Sequence, residues 1–132
     1  MNEVYGGFEK YSKPIYRFID KISITDKGRI GLNKSICAKQ NLKQYNQATL
    51  YWNQAENEIG IEFTKGTPNP QKPKLIFDKR GYGAHLNALN FFLTYNIDMG
   101  KAKGQYGYRK VPARKFGIEH GGYMFILKLS SD

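Results

Sequence analysis

The stretch from Lys21 to Leu32 constrains the fold of this chain most, because apolar and polar residues alternate through it with a period of two. Lys21-Ile22-Ser23-Ile24-Thr25 alternates strictly, and Arg29-Ile30-Gly31-Leu32 resumes the pattern after Asp26-Lys27-Gly28. Successive side chains of a strand point to opposite faces, so this period predicts two half-buried strands. Asp-Lys-Gly between them is a hairpin signal, since glycine accepts the positive φ that tight turns need. Ile22, Ile24, Ile30 and Leu32 then share the buried face. Lys21, Ser23, Thr25, Arg29 and Gly31 share the other.

Similar patterning recurs along the chain. Residues 1–13 are read as a flexible leader, with Gly6-Gly7 and the charges of Glu9 and Lys10 offering little to pack. A strand is expected from Pro14, where Ile15, Arg17 and Ile19 alternate with Tyr16 and Phe18. Asn33 can cap a short helix over 34–40 that turns Ile36 and Cys37 inward. Gln47–Asn53 and Glu58–Thr64 read as a hairpin across the polar loop 54–57. Parity sends Leu50, Trp52, Ile59, Ile61 and Phe63 inward, with Trp52 in the core, and turns Tyr51 and Glu62 outward. Gly66, Pro68, Pro70 and Pro73 make 65–74 a loop. A strand resumes at Leu75-Ile76-Phe77. Asn87 is a candidate cap for a helix over 87–97, with Leu86, Leu89, Asn90, Leu93 and Ile97 at helical spacing and Phe92 flanking. Residues 100–112 read as a glycine-rich basic loop. Glu119-His120-Gly121-Gly122 turns between a strand at 114–118 and the alternating strand 123–129.

The fold class expected from this order is α+β: an antiparallel β-sheet of four or more strands followed by an amphipathic helix, with a C-terminal β-hairpin extension. With 132 residues, one domain over 14–132 is expected, its sheet-plus-helix core at 14–98 and its basic loop and hairpin at 99–132. No apolar run is long enough for a membrane span, and the first residues lack the apolar stretch of a signal peptide. The single cysteine, Cys37, permits neither an internal disulfide nor a cysteine zinc site. A cytoplasmic location is the expectation.

The formal charge is +10 and it is uneven: residues 1–66 hold 10 Lys and Arg against 7 Asp and Glu, residues 67–132 hold 11 against 4. Such a surplus favours polyanionic partners. Between Met99 and Ile118 stand Lys101, Lys103, Arg109, Lys110, Arg114 and Lys115 with no acid, interleaved with Tyr106, Tyr108 and Phe116. Cations meet phosphates and rings stack on unpaired bases, so this mixture suits nucleic acid. A solubilising surface, or a basic face that docks on an acidic protein, is the competing reading.

Catalysis finds little support. His85 and His120 are the only histidines, and neither has Cys or a carboxylate at ligand spacing. Cys37, between Ile36 and Ala38, reads as a small buried apolar residue. Glu58, Glu62 and Asp78 are the carboxylates a metal nuclease would need, but Lys65 stands one position too far from Glu62 for acid-x-Lys spacing. The glycines form no phosphate-binding fingerprint. A non-enzyme with no cofactor and no metal is expected.

Two resemblances sharpen the binding reading. The run Lys79-Arg80-Gly81-Tyr82-Gly83-Ala84-His85-Leu86-Asn87-Ala88-Leu89-Asn90-Phe91-Phe92-Leu93 resembles the last strand and helix of the single-stranded-DNA-binding fold shared by the eukaryotic positive transcriptional coactivator and the plant Whirly proteins. Element order over roughly 15–97 agrees; the helix at 34–40 and the C-terminal hairpin are additions. That resemblance implies a homodimer acting in transcription, with single-stranded DNA on the uncovered sheet face. The candidates there are Lys21, Arg29, Tyr51, Lys74, Arg80 and Tyr82, with Lys65 and Lys72 from the proline loop. The basic segment adds Lys101, Lys103, Tyr106, Tyr108, Arg109, Lys110, Arg114 and Lys115. The second resemblance is that of Ile22 to Ile36 to the AbrB/MraZ-like swapped-hairpin domain, which departs at Asn33, usually proline, and at Ala38, usually arginine. It implies duplex DNA met by Arg29 and Lys34.

Overall fold

A computed structural model describes residues 4–9, 20–118 and 121–129. The strand expected from Pro14 and the turn residues Glu119 and His120 lie outside the described residues. Within the expected leader, β1 (Val4–Tyr5) and β2 (Phe8–Glu9) pair as a small hairpin.

The expected antiparallel α+β architecture forms, with its strands divided between two sheets. One sheet has five strands. β3 (Ile22–Ile24) pairs with β4 (Arg29–Asn33) in the register Ile22 to Leu32 and Ile24 to Ile30, and all four side chains are buried. β4 pairs onward with β8 (Gly83–Asn87), and β8 with the short edge strand β7 (Ile76–Phe77). The other edge is β9 (Gly104–Tyr106), antiparallel to β3. The second sheet runs β10 (Arg109–Pro112), β11 (Tyr123–Lys128), β6 (Glu58–Thr64), β5 (Gln47–Asn53). Ile22, Ile30 and Leu86 of the first sheet and Ile59, Ile61, Phe125 and Leu127 of the second belong to one buried cluster. Trp52 packs partly buried against it. The proline loop lies along the free edge of β5, where Ala48 N donates to Pro73 O at 3.0 Å, covering backbone that would otherwise template another strand.

The early helix, α1 (Lys34–Lys39), starts where expected: Asn33 Oδ1 accepts from Ile36 N at 3.1 Å and Ile36 is fully buried. Gly28, at φ +83, meets two demands at once. It closes the β3–β4 turn, and a Cβ there would stand 2.8 Å from Leu89 Cα.

Four expectations are corrected. The helix over 87–97 is shorter, α2 spanning Leu89–Thr94, because β8 keeps its pairing through Asn87 and Asn96, at φ 54, ends the helix in the left-handed region. Its buried residue is Phe92, whereas Leu89 and Leu93 are 38% and 57% exposed. The larger ring sets the phase of so short a helix.

The basic loop at 100–112 is ordered structure: α3 (Met99–Ala102), capped by Asp98 Oδ1 accepting from Lys101 N, then β9 and β10. The closing hairpin forms between β10 and β11, so its first arm is 109–112; residues Ala113–Phe116 make a single 3-10 turn instead of a strand.

Glu62 does not face solvent. Its parity is as expected, but that face of the second sheet is itself covered: Met124 and Ile126 are buried there, and the Met124 side chain lies over Gly60. Glu62 is 1% exposed and accepts a hydrogen bond from Tyr51 OH at 3.0 Å.

Candidate nucleic-acid interface

The outward face of the five-stranded sheet is the polar counterpart of the buried β3–β4 face. Cross-strand register sets Ser23, Gly31 and His85 in one row, continued by Gln105 on β9 and Ile76 on β7. Asn33 faces Gly83 on one side of that row, and Arg29 faces Asn87 on the other. Gly31 and Gly83 put no side chain over the centre, and the result is an open hollow of about 620 Å³. Lys21, Ser23, Asn33, His85 and Gln105 line it. Tyr82, 68% exposed, and Asp78 stand at the β8 end.

Among the described residues neither Lys21 nor Arg29 forms an ion pair. Among the described residues, the pairs that form use Lys39 with Asp20, Arg109 with Glu58 and Lys128 with Glu56. Partial burial pulls the His85 imidazole below its ordinary pKa, the Arg29 charge lowers it further, and Asp78 opposes the shift. The sign for stability follows. The unfolded chain binds the His85 proton more tightly than the folded protein, so stability falls as pH drops below about 6.5, the ordinary histidine value. We expect thermal melts between pH 7.5 and 5 to show this decline and His85→Gln to reduce its slope; an unchanged slope would count against a neutral His85 in the fold.

The other expected contact residues distribute as follows. Arg80 lies in the turn before Tyr82, its N–H held by Asp78 Oδ1 at 2.7 Å. Lys72 and Lys74 line a separate hollow of about 360 Å³ beside Asn46 and the proline loop, and Lys65 is exposed at the end of β6. Lys101 and Lys103 are exposed just before β9, and Arg114 and Lys115 on the 3-10 turn.

Four residues of the basic segment have structural partners. Tyr106 OH donates to Ala102 O. Tyr108 OH is held by Asp20 at 2.7 Å and Gln40 at 3.0 Å while its ring packs on Phe125. Burial and the Asp20 carboxylate push its pKa up to about 12. Arg109 pairs with Glu58 at 2.9 Å, and Lys110 reaches Gln40 Oε1 at 2.8 Å and lies over the Tyr123 ring. Tyr51 is half-buried on the second sheet, where burial and Glu62 push its pKa up to about 12. Of the expected set, the fold thus brings Lys21, Arg29 and Tyr82 to one surface, with Arg80 exposed in the neighbouring turn.

No family model, curated protein or solved structure matches this chain. Among the described residues no group of three or more His, Cys, Asp or Glu could hold a metal ion, and no helix is long and apolar enough to cross a membrane. Charge-led reading passed over Ser23, His85 and Gln105 as contact residues. Strand parity had already placed Ser23 beside Lys21 and Arg29; Gln105 needed the β3–β9 pairing.

Proposed function

We propose that this protein binds single-stranded nucleic acid, DNA in the first instance, on the outward face of its five-stranded sheet. The observation that carries the reading is the hollow itself, a polar sheet face lined by Lys21 and the exposed ring of Tyr82, with Arg29 on the same face beyond it and neither cation in an ion pair among the described residues. Cations there meet phosphates, Tyr82 stacks on a base at about 1–3 kcal/mol, and Ser23, His85 and Gln105 offer hydrogen bonds to base edges. A concave surface does not enter a duplex groove, which admits a helix or a two-stranded ribbon, and a ring stacks on a base only where that base is unpaired. The homodimer expected from the sequence goes with this reading, since Leu89 and Leu93 remain exposed in a single copy. A role in transcription rests on the resemblance alone.

The test is fluorescence anisotropy with a labelled strand of about 30 nucleotides and its duplex, each at several salt concentrations. We expect tighter single-strand binding, with log affinity falling by about 0.7 per tenfold rise in salt for each phosphate contacted. Duplex preference would favour the Arg29 and Lys34 arrangement of the swapped-hairpin resemblance. Absence of binding to either at low salt would overturn the reading in favour of an acidic protein partner.

A further inference from the structure

Beside the sheet face lies a second opening, between α1 and the turn that joins β7 to β8. Its volume is about 390 Å³, and Lys34, Lys43 and Lys79 line it together with Cys37, Asn41 and Gly81. All three lysines are exposed, and among the described residues none forms an ion pair. Asp78 is the carboxylate at its wall, and one oxygen of Asp78 is already engaged by the Arg80 N–H. Asp78 and Gly83 line this groove and the sheet-face hollow alike. The two openings therefore meet at the start of β8. Asn33 makes the same connection from the other side, since it ends β4, lines the hollow and caps α1.

Three separated cations along a groove match a chain of phosphates better than one compact anion. Their stems come from different elements, Lys34 from α1, Lys43 from the 3-10 turn Leu42–Gln44 and Lys79 from the β7–β8 turn. Tyr82 and Gly81 lie at the junction. A base stacked on Tyr82 would leave its own phosphate at the mouth of the groove.

We propose that the bound single strand continues from the sheet face over the Gly81–Gly83 turn into this groove, where Lys34, Lys43 and Lys79 bind its phosphates. The inference rests on the single-strand reading above and adds to it a direction and a second half of the site. Each lysine that meets a phosphate adds about 0.7 to the salt slope.

The single cysteine makes the groove observable. Cys37 is half-buried in its wall, its thiol near Leu32 O at 3.7 Å, and burial pushes its pKa up. Its half-buried thiol is expected to react slowly with a maleimide. The experiment uses the full chain, an oligo-dT of about 12 nucleotides, and two readouts. Saturating oligonucleotide is expected to slow Cys37 alkylation at least about tenfold. The variant Lys34→Ala/Lys43→Ala/Lys79→Ala is expected to bind about tenfold or more weakly, with a salt slope lower by about 2. Oligonucleotide that binds the unaltered protein yet leaves alkylation unchanged overturns the path into the groove, and the cysteine readout does so even if the triple variant fails to fold. An oligonucleotide that does not bind at all overturns the single-strand reading itself, a different result from the first.

Discussion

Lys21→Ala combined with Arg29→Ala is expected to weaken single-strand binding by about 30- to 100-fold at low salt. Arg29 on β4 and Lys21 just before β3 share the outward parity, and among the described residues neither forms an ion pair. A hydrogen bond to a charged group contributes about 1.5 kcal/mol or somewhat less when partly exposed, and each 1.4 kcal/mol is about a factor of ten. The salt slope should fall by about 1.4, two phosphates at about 0.7 each. Neither residue belongs to the buried cluster, so the melting temperature should hardly move. The measurement is anisotropy titration of the double variant beside a thermal melt. An unchanged affinity in a folded variant would move the site away from this sheet face, first to the exposed lysines and arginines at 101–115.

The second large effect concerns stability. Gly83 has φ +133, and a Cβ there would stand 2.2 Å from Leu32 O. Leu32 lies in β4, hydrogen-bonded on both sides in the sheet, so its carbonyl has nowhere to go. Gly83→Ala therefore combines a disfavoured backbone conformation with a clash against fixed main chain. We expect a loss of about 3 kcal/mol and a fall in melting temperature of roughly 10 °C. Gly31→Ala is the control. Its Cβ would meet the Ser23 hydroxyl at 2.5 Å, a group that can rotate away, and the expected cost is under about 1 kcal/mol. Equal melting temperatures for the two variants would contradict the backbone geometry at Gly83.

What could be read from the sequence was what local periodicity controls. The β3–β4 hairpin, the β5–β6 hairpin and the Asn33 cap each depend on neighbours within a few residues, and each stands close to its expected bounds. So does the polar face carrying Lys21, Ser23 and Arg29, because parity follows directly from alternation. Long-range pairing was not legible. β9 and β10 span three and four residues in a basic segment without alternation, and the β9 partner, β3, lies far off in sequence. Glu62 departs from expectation for a related reason: parity tells which face a side chain takes, but not that this face, on which Met124 and Ile126 are buried too, is shielded from water. Tyr106 and Tyr108 look like stacking residues in a basic loop, and become structural once β9 and β10 form. Lys34 was expected at duplex DNA and Lys79 stood in the run of the first resemblance, but their shared groove with Lys43 was not legible, because the three are scattered along the chain and only the fold brings them together.

The pairing of β9 with β3 has a consequence for how the protein is made. Ile22–Ile24 leaves the ribosome about eighty residues before Gly104–Tyr106, the strand that seals its outer edge. Until then the nascent sheet carries a β3 edge whose backbone groups can recruit another chain. A product cut short before Gly104 would keep that edge open, and is expected to self-associate more readily than a chain that carries Gly104–Tyr106.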